Sequence, residues 1–308
     1  MRNVGEAMQN MLDRRNLHQE LESIREKVLA DSDVRDFLAQ KELTADSKVV
    51  ERSLSKLYEF VQEKDRAQGQ ENEKFPGYYP KLVMNINYID VTYVPTEKML
   101  RQQEERAKAR RIQLIALPKA LKEAEFSRFD LTEEGREEAA TAAFDFAEAF
   151  REDPHHFHQG LYIHGPFGVG KTYLLGAIAN DLAKAGYESM LIHYPQYVAL
   201  RKQAIGQDDP LEDLTAIQKT PVLMLDDIGA ESNSAWVRDD ILGVILQYRM
   251  NEELPTMFTS NFTLDELEKH LARSGSQAIE PVKASRIMER IHMLAKPVAL
   301  TGRNRRHS

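Results

Sequence analysis

The chain has 308 residues, 42% of them hydrophobic, with 49 Asp+Glu against 41 Lys+Arg and a formal net charge of −8 at pH 7. This length and apolar share suffice for one large or two modest domains, each with a buried core. The absence of cysteine excludes disulfides, thiolate zinc sites and a cysteine nucleophile. The acidic balance argues against indiscriminate coating of nucleic acid, and leaves room for local basic patches. With no 18-residue apolar run and no signal-peptide core near Met1, a cytoplasmic protein without membrane contact is the expectation.

Residues 12 to 65 read as helices, with Leu17, Leu21, Ile24 and Val28, and later Leu54, Leu57, Tyr58 and Val61, at helical spacing. The turn-like segment Ala30-Asp31-Ser32-Asp33 is placed to cap a helix through Val34, Phe37 and Leu38. The stretch Gln62 to Tyr79 is polar and broken by Gly69, Pro76 and Gly77. Lys81 to Val94 is rich in β-branched and aromatic residues and predicts a small hairpin. Arg101 to Arg111 is a helical run of mixed charge without an apolar face, either a solvated linker helix or a nucleic-acid contact. Ile115 to Phe129 reads as an extended lead-in to a second domain.

Beyond Leu131 strands and helices alternate. Helices are predicted over 133–150, 171–185, 197–205, 211–218, 236–250 and 284–294, and strands over 161–164, 189–194, 222–225, 256–260 and 297–300. This alternation predicts an α/β domain with a parallel sheet covered on both faces.

The segment Gly165-Pro166-Phe167-Gly168-Val169-Gly170-Lys171-Thr172 is a complete G-x-x-x-x-G-K-T loop between an apolar strand and an amphipathic helix. Such a loop turns backbone N–H groups toward phosphate, adds the Lys171 charge near the β- and γ-phosphates, and offers the Thr172 hydroxyl to Mg²⁺. The apolar strand Val222–Leu225 ends in Asp226 and Asp227; the first acid suits Mg²⁺ and the second suits polarising an attacking water. The strand Thr256–Ser260 ends at Asn261, which can hold that water or cap the helix starting near Leu264; both readings stand. On a late helix Arg286 and Arg290 share a face, suited either to a neighbouring subunit's γ-phosphate or to a surface ion pair. His155, His156 and His158 resemble a metal tract, but no cysteine or acid completes a ligand set, which favours a solvated loop. The basic tail with Arg303, Arg305 and Arg306 can touch phosphate or simply fray.

The glycine-rich loop, the acidic strand end, the strand ending at Asn261 and the Arg286–Arg290 helix, in this order, resemble AAA+ ATPases of the helicase-loader clade, the DnaC/DnaI type, nearest its DnaI branch. The resemblance runs through motifs from about Ala116 to the C-terminus and more generally through the N-terminal helices. It implies an AAA+ P-loop ATPase domain at 131–308, a linker at 107–130, and a smaller, mainly helical N-terminal domain with a β-hairpin at 1–106. The function it implies is an ATP-dependent loader that binds the hexameric replicative DNA helicase through the N-terminal domain. The AAA+ domain would bind single-stranded DNA and help place the helicase on it during primosome assembly. Other initiation proteins are further candidate partners. By position, Gly165 to Thr172 would be the Walker A loop and Asp226 the magnesium carboxylate. Asp227 takes the place usually held by a catalytic glutamate. Asn261 matches sensor 1, Arg290 the arginine finger, and Arg305 a sensor-2-like contact. The implied cofactors are ATP and Mg²⁺, with slow, assembly-dependent hydrolysis.

Two departures accompany the resemblance. Asp227 is one methylene shorter than glutamate, which suits a slow switch. Relatives of the DnaI type commonly carry a cysteine-rich zinc cluster in the N-terminal domain; here Gln62 to Tyr79 holds neither cysteine nor histidine, so no zinc is expected. The rival of another class is a transposition helper ATPase of the IstB type, which shares the core but normally carries less N-terminal sequence. A small-molecule kinase would need an acceptor pocket and an arginine-bearing lid, neither of which is apparent.

Overall fold

Burial patterns along the chain produce two separate cores. The computed structural model describes residues 19–69, 75–204, 211–274 and 278–305; Leu17 and Arg306, named above, lie outside them. The chain divides into a first unit ending at Glu105 and a second beginning at Arg106.

In the first unit α1 (residues 19–30) leads into α2 (Ser32–Gln40), α3 (Lys48–Arg52) and α4 (Leu54–Gly69). Asp31 caps α2, its carboxylate accepting from the N–H groups of Asp33 and Val34. Strands β1 (Tyr78–Met84) and β2 (Ile89–Pro95) pair as an antiparallel hairpin with Leu82 opposite Val91. Val28, Val34, Leu57 and Phe60 from the helices pack with Leu82 and Ile89 from the hairpin. The buried Ser53 hydroxyl accepts from the Ile89 N–H at 2.7 Å and donates to the Val49 carbonyl at 2.7 Å, so hairpin and helix share one polar joint. Lys64, its side chain 8% exposed, is 2.7 Å from Asp31 and 2.8 Å from Asp33 and ties α4 to the start of α2.

Helix α5 (Glu97–Arg111) buries no residue, and its last turn carries Lys108, Arg110 and Arg111. The sequence predicts a linker over 107–130; the structure makes part of it sheet. β3 (Ile112–Ile115) runs parallel to the strand Ser189–His193 with Leu114 opposite Leu191, because Ile112 and Leu114 find apolar cover from the adjoining helices. The lead-in after it is folded as two 3₁₀ turns, Lys119–Glu123 and Phe126–Arg128.

The rest of the second unit follows as α6 (Glu137–Glu152), β4 (Gly160–His164), α7 (Lys171–Lys184), β5 (Ser189–His193), α8 (Tyr194–Gln203), α9 (Leu211–Lys219) and β6 (Val222–Asp226). A π-helical turn, Trp236–Leu242, opens α10 (Gly243–Asn251), where a uniform helix is predicted. Its Arg238 is wholly buried, 2.7 Å from both Asp239 and Glu280. Then come β7 (Thr256–Ser260), α11 (Leu264–Ala272), a two-residue pair β8 (Arg273–Ser274) and β9 (Ala278–Ile279), α12 (Pro281–Leu294) and β10 (Ala295–Ala299).

The six-stranded sheet has the order β10-β4-β7-β6-β5-β3, and every pairing in it is parallel. Alternate residues point to opposite faces of a strand. Leu161, Ile163, Leu191 and Met224 therefore pack under α6 and α7, while Tyr162, Ile192, Leu225 and Phe258 pack against α8, α10, α11 and α12. Both faces are dry, which is why these strands read as continuous apolar runs. The topology matters for the site: β7 lies between β4 and β6, so the end of β7 flanks both the glycine-rich loop and the acidic strand end.

Candidate functional site

The carboxyl ends of β4, β6 and β7 open into a cleft of about 660 Å³ lined by residues of the G-x-x-x-x-G-K-T loop, Asp226, Asp227, Asn261 and Arg305. Ligands in open parallel sheets bind at this edge, in the crevice beyond the strand ends. The loop leads directly into α7, whose N-cap Gly170 has φ 105°, a left-handed conformation that a side chain would oppose. The first turn of α7 thereby presents its unpaired N–H groups and positive dipole end to the cleft.

Lys171 is 8% exposed. Its ammonium donates to the carbonyls of Gly165 and Pro166, at 2.7 and 2.8 Å, and to Asn261 Oδ1 at 2.8 Å. The Asn261 amide then donates to Asp227 Oδ1 at 2.8 Å. Of the two readings of Asn261, the structure excludes the cap. Thr263 caps α11 instead, accepting from the Glu266 N–H while Glu266 reaches back to the Thr263 N–H as a capping box. Asn261 is left to join the lysine to the second acid.

Asp226 is 3% exposed. Its Oδ1 accepts from Thr172 Oγ1 at 2.8 Å and from Thr259 Oγ1 at 2.7 Å. Burial raises the Asp226 pKa above the ordinary carboxylate value, with neighbouring Asp227 adding to it, while the two threonine hydroxyls and His193 pull the other way. A carboxylate in that position gains from a cation, and the Thr172–Asp226 oxygen pair suits a hard divalent ion. Asp227 has φ 62°, and its N–H donates to Thr259 Oγ1 at 2.8 Å.

Several cleft residues escape the sequence reading. Ala116, Leu117, Pro118, Ala120 and Leu121 line one side, an apolar wall that follows the edge strand β3. No local motif marks them. His193, at the end of β5 and in register with Asp226, also lines the cleft. Arg136, 1% exposed, lies behind the loop and donates to the Val169 carbonyl at 2.6 Å.

Arg290 is not among the residues lining this cleft; its Nη1 donates to the Gly243 carbonyl at 2.7 Å, and Arg286 on the same helix is exposed. Arg305 does reach the cleft, its guanidinium held by Asp130 at 2.6 Å and Glu133 at 3.2 Å. Arg303 pairs with Glu133 at 3.1 Å. In the histidine tract, the His158 ring packs edge-on against Phe146 and Phe150 and bonds the Asp153 carbonyl at 2.7 Å. His155 and His156 stand exposed in this loop, as expected, and only His158 is half-buried by its ring contacts.

Residues 85–306 match the family model of the IstB-like ATP binding protein, and residues 1–93 that of the primosomal protein DnaI N-terminus. The replicative helicase loader DnaI of Bacillus subtilis (strain 168) is 42% identical over 315 aligned residues, spanning all of both chains. The chain belongs to the DnaI family of helicase loaders. A crystal structure of DnaI is 47% identical over 65% of this chain and 99% of that one, with a TM-score of 0.55. The N-terminal domain of the B. subtilis helicase-loading protein DnaI is 39% identical over 26% of this chain and 80% of that one, with a TM-score of 0.23. The DnaI family assigns the second unit to the AAA+ fold, and the model described as ATP-binding spans that whole unit's cleft. Among the described residues no helix is long and apolar enough to cross a membrane.

Proposed function

We propose that this DnaI-family chain is an ATP-switched loader that binds the hexameric replicative DNA helicase through its first unit. The second unit would contact single-stranded DNA and help place the helicase on it. The observation that supports this most is the convergence of Lys171, Asn261 and Asp227 with Thr172 and Asp226 in one cleft of a DnaI-family chain. A chain that matches the DnaI N-terminus over residues 1–93 as well as the shared ATP-binding core fits a loader better than a transposition helper.

In this reading the loop N–H groups from Gly165 to Thr172 hold the phosphates, and the apolar wall from Ala116 to Leu121 takes the base. Lys171 turns from the loop carbonyls to the β- and γ-phosphates, since an ammonium gains more from phosphate oxygens than from neutral carbonyls. Thr172 and Asp226 would hold Mg²⁺, which neutralises charge on the phosphate oxygens when bound. Asp227 accepts a proton from the attacking water while Asn261 orients it. Arg290 would serve a neighbouring subunit's γ-phosphate, since it stands outside its own cleft. Arg305 would act as the sensor-2-like contact.

The decisive experiment is size-exclusion of the full chain with a hexameric replicative helicase, with and without ATP. Co-elution whose extent changes with ATP is expected; separate elution in both conditions overturns the loader reading. A nucleotide biases the two states only through its differential affinity for them. Equal helicase and DNA affinities with ATP and with ADP would therefore end the switch. For hydrolysis, Asp227→Asn is expected to slow phosphate release about 10²-fold while leaving ATP affinity near that of the parent. Unchanged turnover would remove Asp227 from the catalytic role.

A further inference from the structure

The phosphate loop is not shaped by its own sequence alone. The segment after β10 runs directly behind it. The Leu300 N–H donates to the His164 carbonyl at 2.8 Å, and the Arg305 N–H donates to the Gly168 carbonyl at 3.0 Å. A Cβ on Gly168, which has φ 77°, would collide with the Asn304 side chain, and one on Gly165 with the Leu300 carbonyl. These glycines are thus needed on the back of the loop, against the tail, as well as on the phosphate side.

Arg136 completes this arrangement. Its Nη1 donates to Val169 O at 2.6 Å and to Thr301 O at 3.2 Å, and its Nε donates to Asp130 O at 2.6 Å. The guanidinium sits 4.5 Å from the centre of the Phe129 ring. The tail is fastened beside it by the Arg303 N–H on Glu133 at 2.7 Å and by Thr301 Oγ1 on the Glu134 carbonyl at 3.0 Å.

In a planar trans peptide the carbonyl of one residue and the N–H of the next point in opposite directions. Holding the Gly168 carbonyl backward aims the Val169 N–H forward, and holding the Val169 carbonyl backward aims the Gly170 N–H forward. We propose that Arg136, together with the backbone of Thr301–Arg305, is the positioning element that aims two successive N–H groups of the loop at phosphate. The proposal rests on the nucleotide reading of the cleft. Such N–H groups act on the charged oxygens of the ligand, where preset orientation counts most. The remaining contacts of a nucleotide, to base and ribose, do not depend on it.

The test is binding of ATP, ADP and adenosine to the full-length chain, measured by calorimetry or competition, for the parent, Arg136→Lys and Arg136→Met. Arg136→Met is expected to lose about tenfold to a hundredfold in affinity for ATP and ADP, the loss of one or two charge-assisted bonds. Adenosine affinity should stay within about twofold of the parent. Arg136→Lys should fall between, because an ammonium can keep one of the carbonyls. ATP affinity of Arg136→Met equal to the parent's, or equal losses for ATP and adenosine, overturns the proposal. Should Arg136→Met fail to fold, Arg305→Pro is compared with Arg305→Ala: both remove the side chain, but only proline removes the N–H to Gly168. Weaker ATP binding by the proline variant is expected, and equal binding overturns the proposal. A parent that binds neither ATP nor ADP would instead overturn the nucleotide reading itself.

Discussion

Replacing Asp226 with asparagine is expected to slow ATP turnover sharply and yet make the chain harder to melt. The two effects have one cause. Asp226 is 3% exposed, and burial raises its pKa above the ordinary carboxylate value. A carboxyl whose pKa is higher in the folded state than in the unfolded state binds protons more tightly when folded. Its folded state therefore loses relative stability as pH rises from the unfolded value through the folded one. Above the folded value that penalty is fully present, and asparagine removes it. The amide oxygen can still accept from Thr172 and Thr259, which now bond Oδ1 of the acid. Without nucleotide the variant should melt about 2–4 °C higher at neutral pH, the shift that 1 kcal/mol produces in a unit of this size. The advantage should shrink as pH falls from the raised folded value through the unfolded one, as the parent's Asp226 takes up its proton. Added Mg-ATP should stabilise the parent and not the variant, and turnover should drop by about 10²-fold or more. Thermal melts across this pH range, with a phosphate-release assay at neutral pH, check all parts. A lower melting temperature at neutral pH would contradict the electrostatic account.

Arg249→Leu should cost about 3–5 kcal/mol of folding stability, the price of removing a buried guanidinium from a full set of acceptors. Arg249 is wholly buried. Its Nε donates to Thr256 Oγ1 at 2.8 Å, its Nη1 to the carbonyls of Gln218 and Thr220 at 2.9 and 2.7 Å, and its Nη2 to Pro255 O at 2.7 Å. Burial pulls its pKa down to about 9, which leaves it charged at neutral pH. These acceptors include the last carbonyls of α9, so the arginine caps that helix and joins it to the start of β7. Leucine fills much of the volume and supplies no donor, leaving several buried carbonyls without partners. The loss is a large part of the 5–15 kcal/mol typical of a domain. Urea unfolding followed by circular dichroism measures it; a midpoint within error of the parent's would show that water replaces the guanidinium.

Strands β4 to β7 and helix α7 were legible because each is an apolar run or amphipathic segment bounded by glycine, proline or acid, and because the glycine-rich loop fixes its own neighbours. Strand β3 was obscured by the charged run that precedes it, since Ile112–Ile115 is only four residues long and its cover comes from distant helices. Arg136, Arg238 and Arg249 were invisible for a different reason. A charged residue in a sequence window reads as solvated, and what buries these three is a set of partners from elsewhere in the chain. Thr263 and Glu266, by contrast, spell a capping box that local spacing alone could have found, and it would have released Asn261 for the cleft.

The backbone at Asp227 has φ 62°, a left-handed conformation in which aspartate and asparagine are enriched over longer side chains. Seen this way, the acid one methylene short of glutamate is what the local chain geometry selects. The turn brings the Asp227 N–H back to Thr259 and its carboxylate to the Asn261 amide. A glutamate here would have to place its carboxylate from a less favoured backbone, one carbon farther out, and would lose register with Asn261. In this chain the reach of the second acid is thus set by the main chain, so a longer acid at this position would need the turn rebuilt first.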